Sequence, residues 1–426
     1  MNTIEDHPQR FALANELHAR PFPVLEAPGH AVFLAVKRPD AAATRDRAAD
    51  RAHLIELLDR FGAAHPPEGA NHYSGEMGRF RIKWECHTEF VTYTVFASGV
   101  TSVPFDGTAF AVFPAEWLAR APGTRISSAL VRVEEPPDEA AIPARLADWF
   151  DGASVAVSDV LEGSAIAASD FRIDSNGHMR IAVFPRPGTG PRRLGRVVQR
   201  LLEIETYKTM SMMGLPVARE VSSRLAALDS ALSELVGTMT DTRTDADATL
   251  KALLSISAEV EHLLARNGFR FGASAAYEAI VNDRIEALRE ARFHGRQTFR
   301  EFMTRRFDPA MRTVRAAENR LERMAERARE AAALLRTRVD VERSATNQAL
   351  LASMDRRADL QLRLQRTVEG LSVVAISYYA VNLVVNVLGP FGETQGIGKG
   401  ALMAVATPVV VLAVWLVVRR IRRHVG

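Results

Sequence analysis

The chain has 426 residues, of which 25% are charged, and a formal net charge of only +3. That length supports two or three domains, each with its own core, and the near-balanced charge argues against nucleic acid as a partner, which needs a concentrated basic patch. Cys86, the single cysteine, excludes an intrachain disulfide and any Cys-based zinc site.

The first residues, MNTIEDHPQRFALANELHARPF, are polar and lack the apolar run of a secretory signal peptide. Within them NELHARPFP gathers Asn15, Glu16, His18 and Arg20 before a proline break, for which a structural turn is the expected role. Several helical pieces follow: AADRAHLIELLDRFG, PAEWLARA and EAAIPARLADWF. Between them FRIKWEC alternates Phe80, Ile82, Trp84 and Cys86 against Arg81, Lys83 and Glu85, the period of two of a half-buried strand. FVTYTVFAS and RISSALVRVE read as further strands, and SDFRIDSNGHMRIAVF as a hairpin with a type I′ turn at Asn176-Gly177. Residues 1–190 are therefore expected to form a mixed α/β domain, closed by the linker PRPGTGP.

Glu85, His87 and Glu89, in WECHTEF, fall at alternate positions and share a face if the strand is regular. Such a set can bind a divalent cation. The plainer expectation is a solvated or ion-paired polar face beside Arg79 and Arg81. No phosphate loop, dinucleotide fingerprint, zincin motif or nucleophile elbow is present, so no enzyme activity and no resident cofactor are expected.

Residues 191–369 read as all-helical. RRLGRVVQRLLEIETYKTMSMMGL leads to a break around Pro216, and LKALLSISAEVEHLLARNG ends on an Asn267-Gly268 stop. SAAYEAIVNDRIEALREARFHGRQTFREFMTRRF reads as another long helix. From Ala310 to Glu369 there is neither glycine nor proline, and Asp308-Pro309 supply a cap and a first-turn proline. Sixty residues of helix make a stalk of roughly 90 Å. Leu321, Met324, Ala328, Ala332, Leu335 and Val339 step by three or four, then Leu351, Met354 and Ala358 resume the seam, as in a coiled coil. A stripe so thin requires partner helices from the same chain, from sister subunits, or both.

Two segments in residues 370–426 pass the length test for crossing hydrocarbon: Leu371 to Gly389 and Ala401 to Val418. The glycine-rich connector suits a tight hairpin. Arg356, Arg357, Arg363 and Arg366 precede the first span, while Arg419, Arg420, Arg422 and Arg423 follow the second. The positive-inside rule then puts both termini in the cytoplasm. Inside the first span Tyr379, Asn382 and Asn386 share one face, with Tyr378 adjacent. Polar groups in hydrocarbon face protein or water, so this stripe is either hydrogen-bonding glue between helices or the lining of a pore.

The phrases HPQRFALANELHARP, KWECHTEF, EFMTRRFDPAMRT and TVEGLSVVAISYY resemble an uncharacterised bacterial family usually described as predicted membrane-anchored. That likeness implies the inner membrane as the location. The overall plan, an α/β domain, accessory helices, a long stalk running into the first span, a short outside loop, a second span and a basic tail, is similar to the CorA family of magnesium channels. Those are homopentamers whose first span lines the pore and ends in Gly-Met-Asn after a tyrosine. The nearest match is Tyr379-Ala380-Val381-Asn382, which differs at two of four letters, so the resemblance carries over Asn382 alone. The expected architecture is α+β: a cytoplasmic α/β domain, a helical stalk region and a two-helix transmembrane hairpin. The lipid bilayer and sister copies of the chain are the expected partners. Two functions follow as expectations, a CorA-like oligomeric cation channel or a non-conducting, membrane-anchored interaction module.

Overall fold

The computed structural model describes residues 4–16, 22–38, 46–136, 138–238, 246–393 and 398–425. It divides into two compact units, one spanning Met1–Thr244 with Lys251–Ala331, the other Asp245–Leu250 with Ala332–Gly426. The first unit holds α1 (Arg10–Glu16), β1 (Gly29–Lys37), α2 (Arg47–Arg60), β2 (His72–Met77), β3 (Phe80–Cys86) and β4 (Phe90–Ser98). It continues through α3 (Ala115–Ala119), β5 (Thr124–Val133), α4 (Ile142–Trp149), β6 (Ala156–Val160), β7 (Ala165–Ser169) and β8 (Met179–Pro185). Then come α5 (Pro191–Met212), α6 (Gly214–Thr238), α7 (Ala246–Ala287), β9 (Ala291–Arg292) and α8 (Phe299–Arg306). Two long helices complete the chain, α9 (Asp308–Glu393) and α10 (Lys399–Val425).

The nine strands form one sheet in the order β2-β3-β4-β1-β5-β8-β7-β6-β9. All neighbours are antiparallel except β5 and β8. Between β4 and β5, in the interior of the sheet, lies β1, GHAVFLAVK, an almost unbroken apolar run. It gives no alternation because both of its faces are covered, Val32, Leu34 and Val36 on one side and Ala31, Phe33 and Ala35 on the other. One sheet face packs Ile82, Trp84, Val91, Tyr93 and Leu130 against Leu54, Leu57 and Leu58 of α2 and Trp117 of α3. Trp84 and Trp117 are each 1% exposed or less. Burial of side chains this large contributes roughly 1.5–3 kcal/mol apiece.

The other face is covered by α5, which buries Leu194, Val197, Val198, Leu201 and Leu202. This approach is close at Gly195, where a Cβ would stand 1.9 Å from the Pro23 carbonyl oxygen. The Arg81, Lys83, Glu85 side of β3 is thus not a solvated face. Lys83 is 5% exposed, because the helix lies over it.

The turn at Asn176-Gly177 differs from the type I′ expectation. Gly177 has φ +85°, but Asn176 is not among the positive-φ residues a type I′ turn requires. Asp174 explains this: its carboxylate accepts from the Asn176 and His178 amides at 2.9 Å, and its carbonyl accepts from Gly177 N–H at 3.0 Å. At this pair the chain therefore uses only the glycine as a left-handed residue.

Asn267-Gly268 does not stop a helix; α7 runs through it to Ala287. Asn267 donates to the Leu263 carbonyl at 2.9 Å, one turn back, instead of capping. Buried Val260 and Phe271 hold the helix on either side. The next expected helix is interrupted instead near residue 289, where Arg289, His294 and Gly295 take positive φ and β9 pairs with β6. α8 then starts on a capping box in which Thr298 and Glu301 satisfy each other's backbone amides.

The seam of α9 is buried in its first part, through Met311, Val314, Leu321, Met324 and Ala328. Ion pairs tie it into a helical layer: Arg224–Glu259 (2.7 Å) joins α6 to α7, Arg315–Glu278 (3.2 Å) joins α9 to α7, and Arg320–Asp229 (3.9 Å) joins α9 to α6. In the second unit, every residue of α9 from Asp340 to Val368 is exposed, so Leu351, Met354 and Ala358 of the expected seam have no cover among the described residues. α9 then continues without a break through Leu371 to Glu393, and α9 and α10 are both long and apolar enough to cross a membrane.

Candidate functional site

The face of the sheet beneath α5 carries an unusual concentration of polar side chains. Pairing register sets Lys83 beside Thr94, and Thr94 beside Phe33, in a line across three strands; Glu85 and Thr92 form the next row. From above, α5 contributes Gln199, Leu202, Glu203, Thr206 and Tyr207. These residues, with Pro23, His87, Phe90 and Phe96, line a small cleft that is partly open to solvent.

Its base is charged. Lys83 Nζ lies 3.1 Å from Glu85 Oε2, in ion-pair contact, and has no hydrogen-bond partner among the described residues. On the opposite wall Gln199 Nε2 donates to Glu203 Oε1 at 2.6 Å, while Gln199 Oε1 is buried and accepts no hydrogen bond among the described residues. The cleft lining also carries aromatic rings. The His87 ring stacks on Phe90 at 4.3 Å and stands edge-on to Tyr207 at 6.0 Å. Its nitrogens lie 3.4 Å from Tyr207 Oη and 3.5 Å from Thr92 Oγ1.

Beyond His87 the β3–β4 turn carries Glu89, whose side chain is 1% exposed. It is ion-paired with Arg270 of α7, accepts from Tyr277 Oη at 3.0 Å and lies 3.8 Å from Lys37 Nζ. Arg270 Nη1 is buried without a hydrogen-bond partner among the described residues. Burial, then the charge of Glu89, pushes the Tyr277 phenol well above its ordinary range. Tyr277 also stacks on Tyr207 at 5.6 Å, so the cleft and the buried ion cluster share a wall.

The three residues of WECHTEF are therefore not on one strand face. β3 ends at Cys86, which leaves Glu85 in the strand and places His87 and Glu89 in the turn that follows. Glu85 and His87 line the same cleft, and Glu89 is engaged by cations on its far side. Among the described residues no group of three or more His, Cys, Asp or Glu is arranged to hold a metal ion. Gln199, Tyr207, Arg270 and Tyr277 carry no sequence signal that marks them; only the parity of Lys83 in its strand hinted that a polar face existed to be covered.

In the first expected span, Tyr378 and Tyr379 are exposed, 64% and 72%, and so is Asn386. Asn382 is half-buried and donates to its own helix, to the Tyr378 carbonyl at 3.1 Å. Ser377 is buried, with its hydroxyl unpartnered among the described residues. Of the flanking cations, Arg363, Arg366, Arg419 and Arg420 are exposed, and Arg419 stands over the Trp415 ring at 4.9 Å. The side chains of Arg422, Arg423, Asn15 and Glu16, and the whole of His18 and Arg20, lie outside the described residues.

No curated protein is significantly similar to this chain. A family model described as "Protein of unknown function (DUF3422)" matches residues 5–425, and the chain belongs to that family.

Proposed function

We propose that the chain is a two-pass protein of the bacterial inner membrane, anchored by the end of α9 and by α10, with its sheet domain and both termini in the cytoplasm as an interaction module. One observation supports this above all. The two helices are apolar over the length of a bilayer and turn that surface outward, with Leu383 67% and Val405 70% exposed. Left in water, surface of this extent is unfavourable by roughly 25 cal/mol per Å². The basic flanks at Arg363, Arg366, Arg419 and Arg420, together with Arg422 and Arg423, support the orientation. Single cysteines at Gln395 and Arg363, introduced on a Cys86→Ala background, test it with a membrane-impermeant thiol reagent. Labelling of Gln395→Cys alone in intact cells is expected; labelling of Arg363→Cys, or release of the protein by alkaline washing, overturns the reading.

A second reading, a symmetric homo-oligomer passing divalent cations along the stripe of Tyr378, Tyr379, Asn382 and Asn386, is favoured by one feature. The exposed residues of the stripe, and the bare Leu351 and Met354 upstream, are left uncovered by the described residues, as faces that meet sister helices would be. Its test is Mg²⁺, Co²⁺ or Zn²⁺ flux in liposomes with the oligomer mass measured in parallel. Flux that Asn382→Leu reduces is expected; a monomer in detergent, or an intact oligomer with no flux, ends it.

A further inference from the structure

We infer that the cleft between the sheet and α5 is a binding site for a small zwitterion, an α-amino acid with a short side chain. This goes beyond membrane anchoring and does not depend on it.

The polar groups at the base come in opposite signs and in a fixed arrangement. Lys83 Nζ, on a side chain 6% exposed, has donors left over after its contact with Glu85 at 3.1 Å. A buried ammonium whose hydrogen bonds are unmade is costly, so the fold gains when an acceptor arrives there. Across the cleft Gln199 Oε1 is a buried acceptor that lacks a donor among the described residues. The ligand must therefore bring both an acceptor and a donor. A carboxylate satisfies Lys83; an ammonium satisfies Gln199 Oε1 and the Glu85 carboxylate together.

Single-charge ligands fit less well. A simple anion such as acetate would answer Lys83 while standing against Glu85 and Glu203 and leaving Gln199 unsatisfied. A simple cation would be held against Lys83. An α-amino acid carries the two charges at the separation of one carbon, which matches an ammonium and a carboxylate already in contact. The remaining wall is apolar, with Phe33, Phe90, Phe96 and Leu202. Size sets the limit. The cleft leaves about 30 Å³ for the centre of a water molecule, room for roughly two or three waters or for a ligand of that bulk, and so favours short side chains.

The test uses the full chain in detergent. Its melting temperature and calorimetric binding are measured with glycine, alanine, serine, leucine, phosphate, acetate and methylamine. Small amino acids are expected to raise the melting temperature and bind saturably, with the other ligands weaker by about tenfold or more. Gln199→Leu, which keeps side-chain shape, is expected to melt close to the parent without ligand, and Lys83→Met to melt lower because it leaves Glu85 without its counter-charge; each is expected to lose tenfold or more in affinity. No binding of any amino acid overturns the inference, as does phosphate or acetate binding as tightly as alanine. It also fails if both variants bind alanine as the parent does. Should Lys83→Met not fold, Gln199→Leu decides alone.

Discussion

Glu89→Gln is the most informative single change in the sheet domain, because it removes one charge from a buried cluster without altering its shape. Glu89 is 1% exposed and faces Arg270 in ion-pair contact, Lys37 at 3.8 Å and the Tyr277 hydroxyl at 3.0 Å. With a neutral amide at this place the guanidinium of Arg270, 12% exposed and already missing a partner at Nη1, loses its counter-charge. Removing one member of a buried pair costs about 3–5 kcal/mol. At about 2.1 cal/mol/K of unfolding entropy per residue, over the roughly 325 residues of the first unit, that corresponds to a fall in melting temperature of roughly 4–7 °C. Thermal unfolding followed by near-ultraviolet circular dichroism in detergent reads it directly. A second readout separates electrostatics from general loosening. The Tyr277 phenol is held high first by burial and then by Glu89, so its titration should move down, but not all the way, in the variant. A melting temperature within 2 °C of the parent, or a phenol that titrates unchanged, would refute the argument.

Further expectations follow from single contacts. Gly195→Ala puts a methyl 1.9 Å from the Pro23 carbonyl oxygen, so α5 and the segment that precedes β1 must move apart; a loss of about 1–3 kcal/mol or more is expected in denaturant melts. Gly272→Ala, in the same assay, meets nothing within 4 Å inside α7 and should stabilise by about 0.5–1 kcal/mol. His53, held between Tyr93 Oη at 2.9 Å and the Trp117 carbonyl at 3.0 Å, has its pKa lowered below 6.5 chiefly by burial. The unfolded chain then takes up the proton first, so stability present above pH 6.5 should decline as pH falls below that value; melting temperatures across this range, with the imidazole titration followed by NMR, check it. Tyr277 gives the opposite sign at the alkaline end: its raised value means stability declines as pH rises above about 10, and Tyr277→Phe should remove that limb.

Local chemistry made much of this fold legible. The alternation in FRIKWEC, the helical spacing in α2 and the absence of glycine and proline through the stalk each have one dominant cause, and the structure follows them. The misses have causes as well. β1 escaped because a strand covered on both faces does not alternate. Asn267-Gly268 was a valid stop signal that packing around Phe271 overrode. The polar side of β3 reads as a solvated or ion-paired face, and nothing within 100 residues announces that α5 will lie on it. The candidate cleft was legible only in part. Glu85 and His87 stood out by spacing, whereas Gln199 and Tyr207 come from the far side of a sheet–helix interface and Arg270 from a third element. Such partners leave no local pattern, and only the assembled topology brings them together.

The two-residue strand β9 has a consequence for how the protein is made. It pairs Arg292 and Ala291 with Ser158 and Asp159 of β6, so one margin of the sheet is finished by a segment about 130 residues downstream. At ribosomal speeds of about 5–20 residues per second, that margin stays open for roughly 7–27 s after β6 emerges. During that interval the nascent chain displays an unmated backbone edge, and a ribosome stalled between the two segments would leave it bare for a chaperone, or for another unfinished chain, to find.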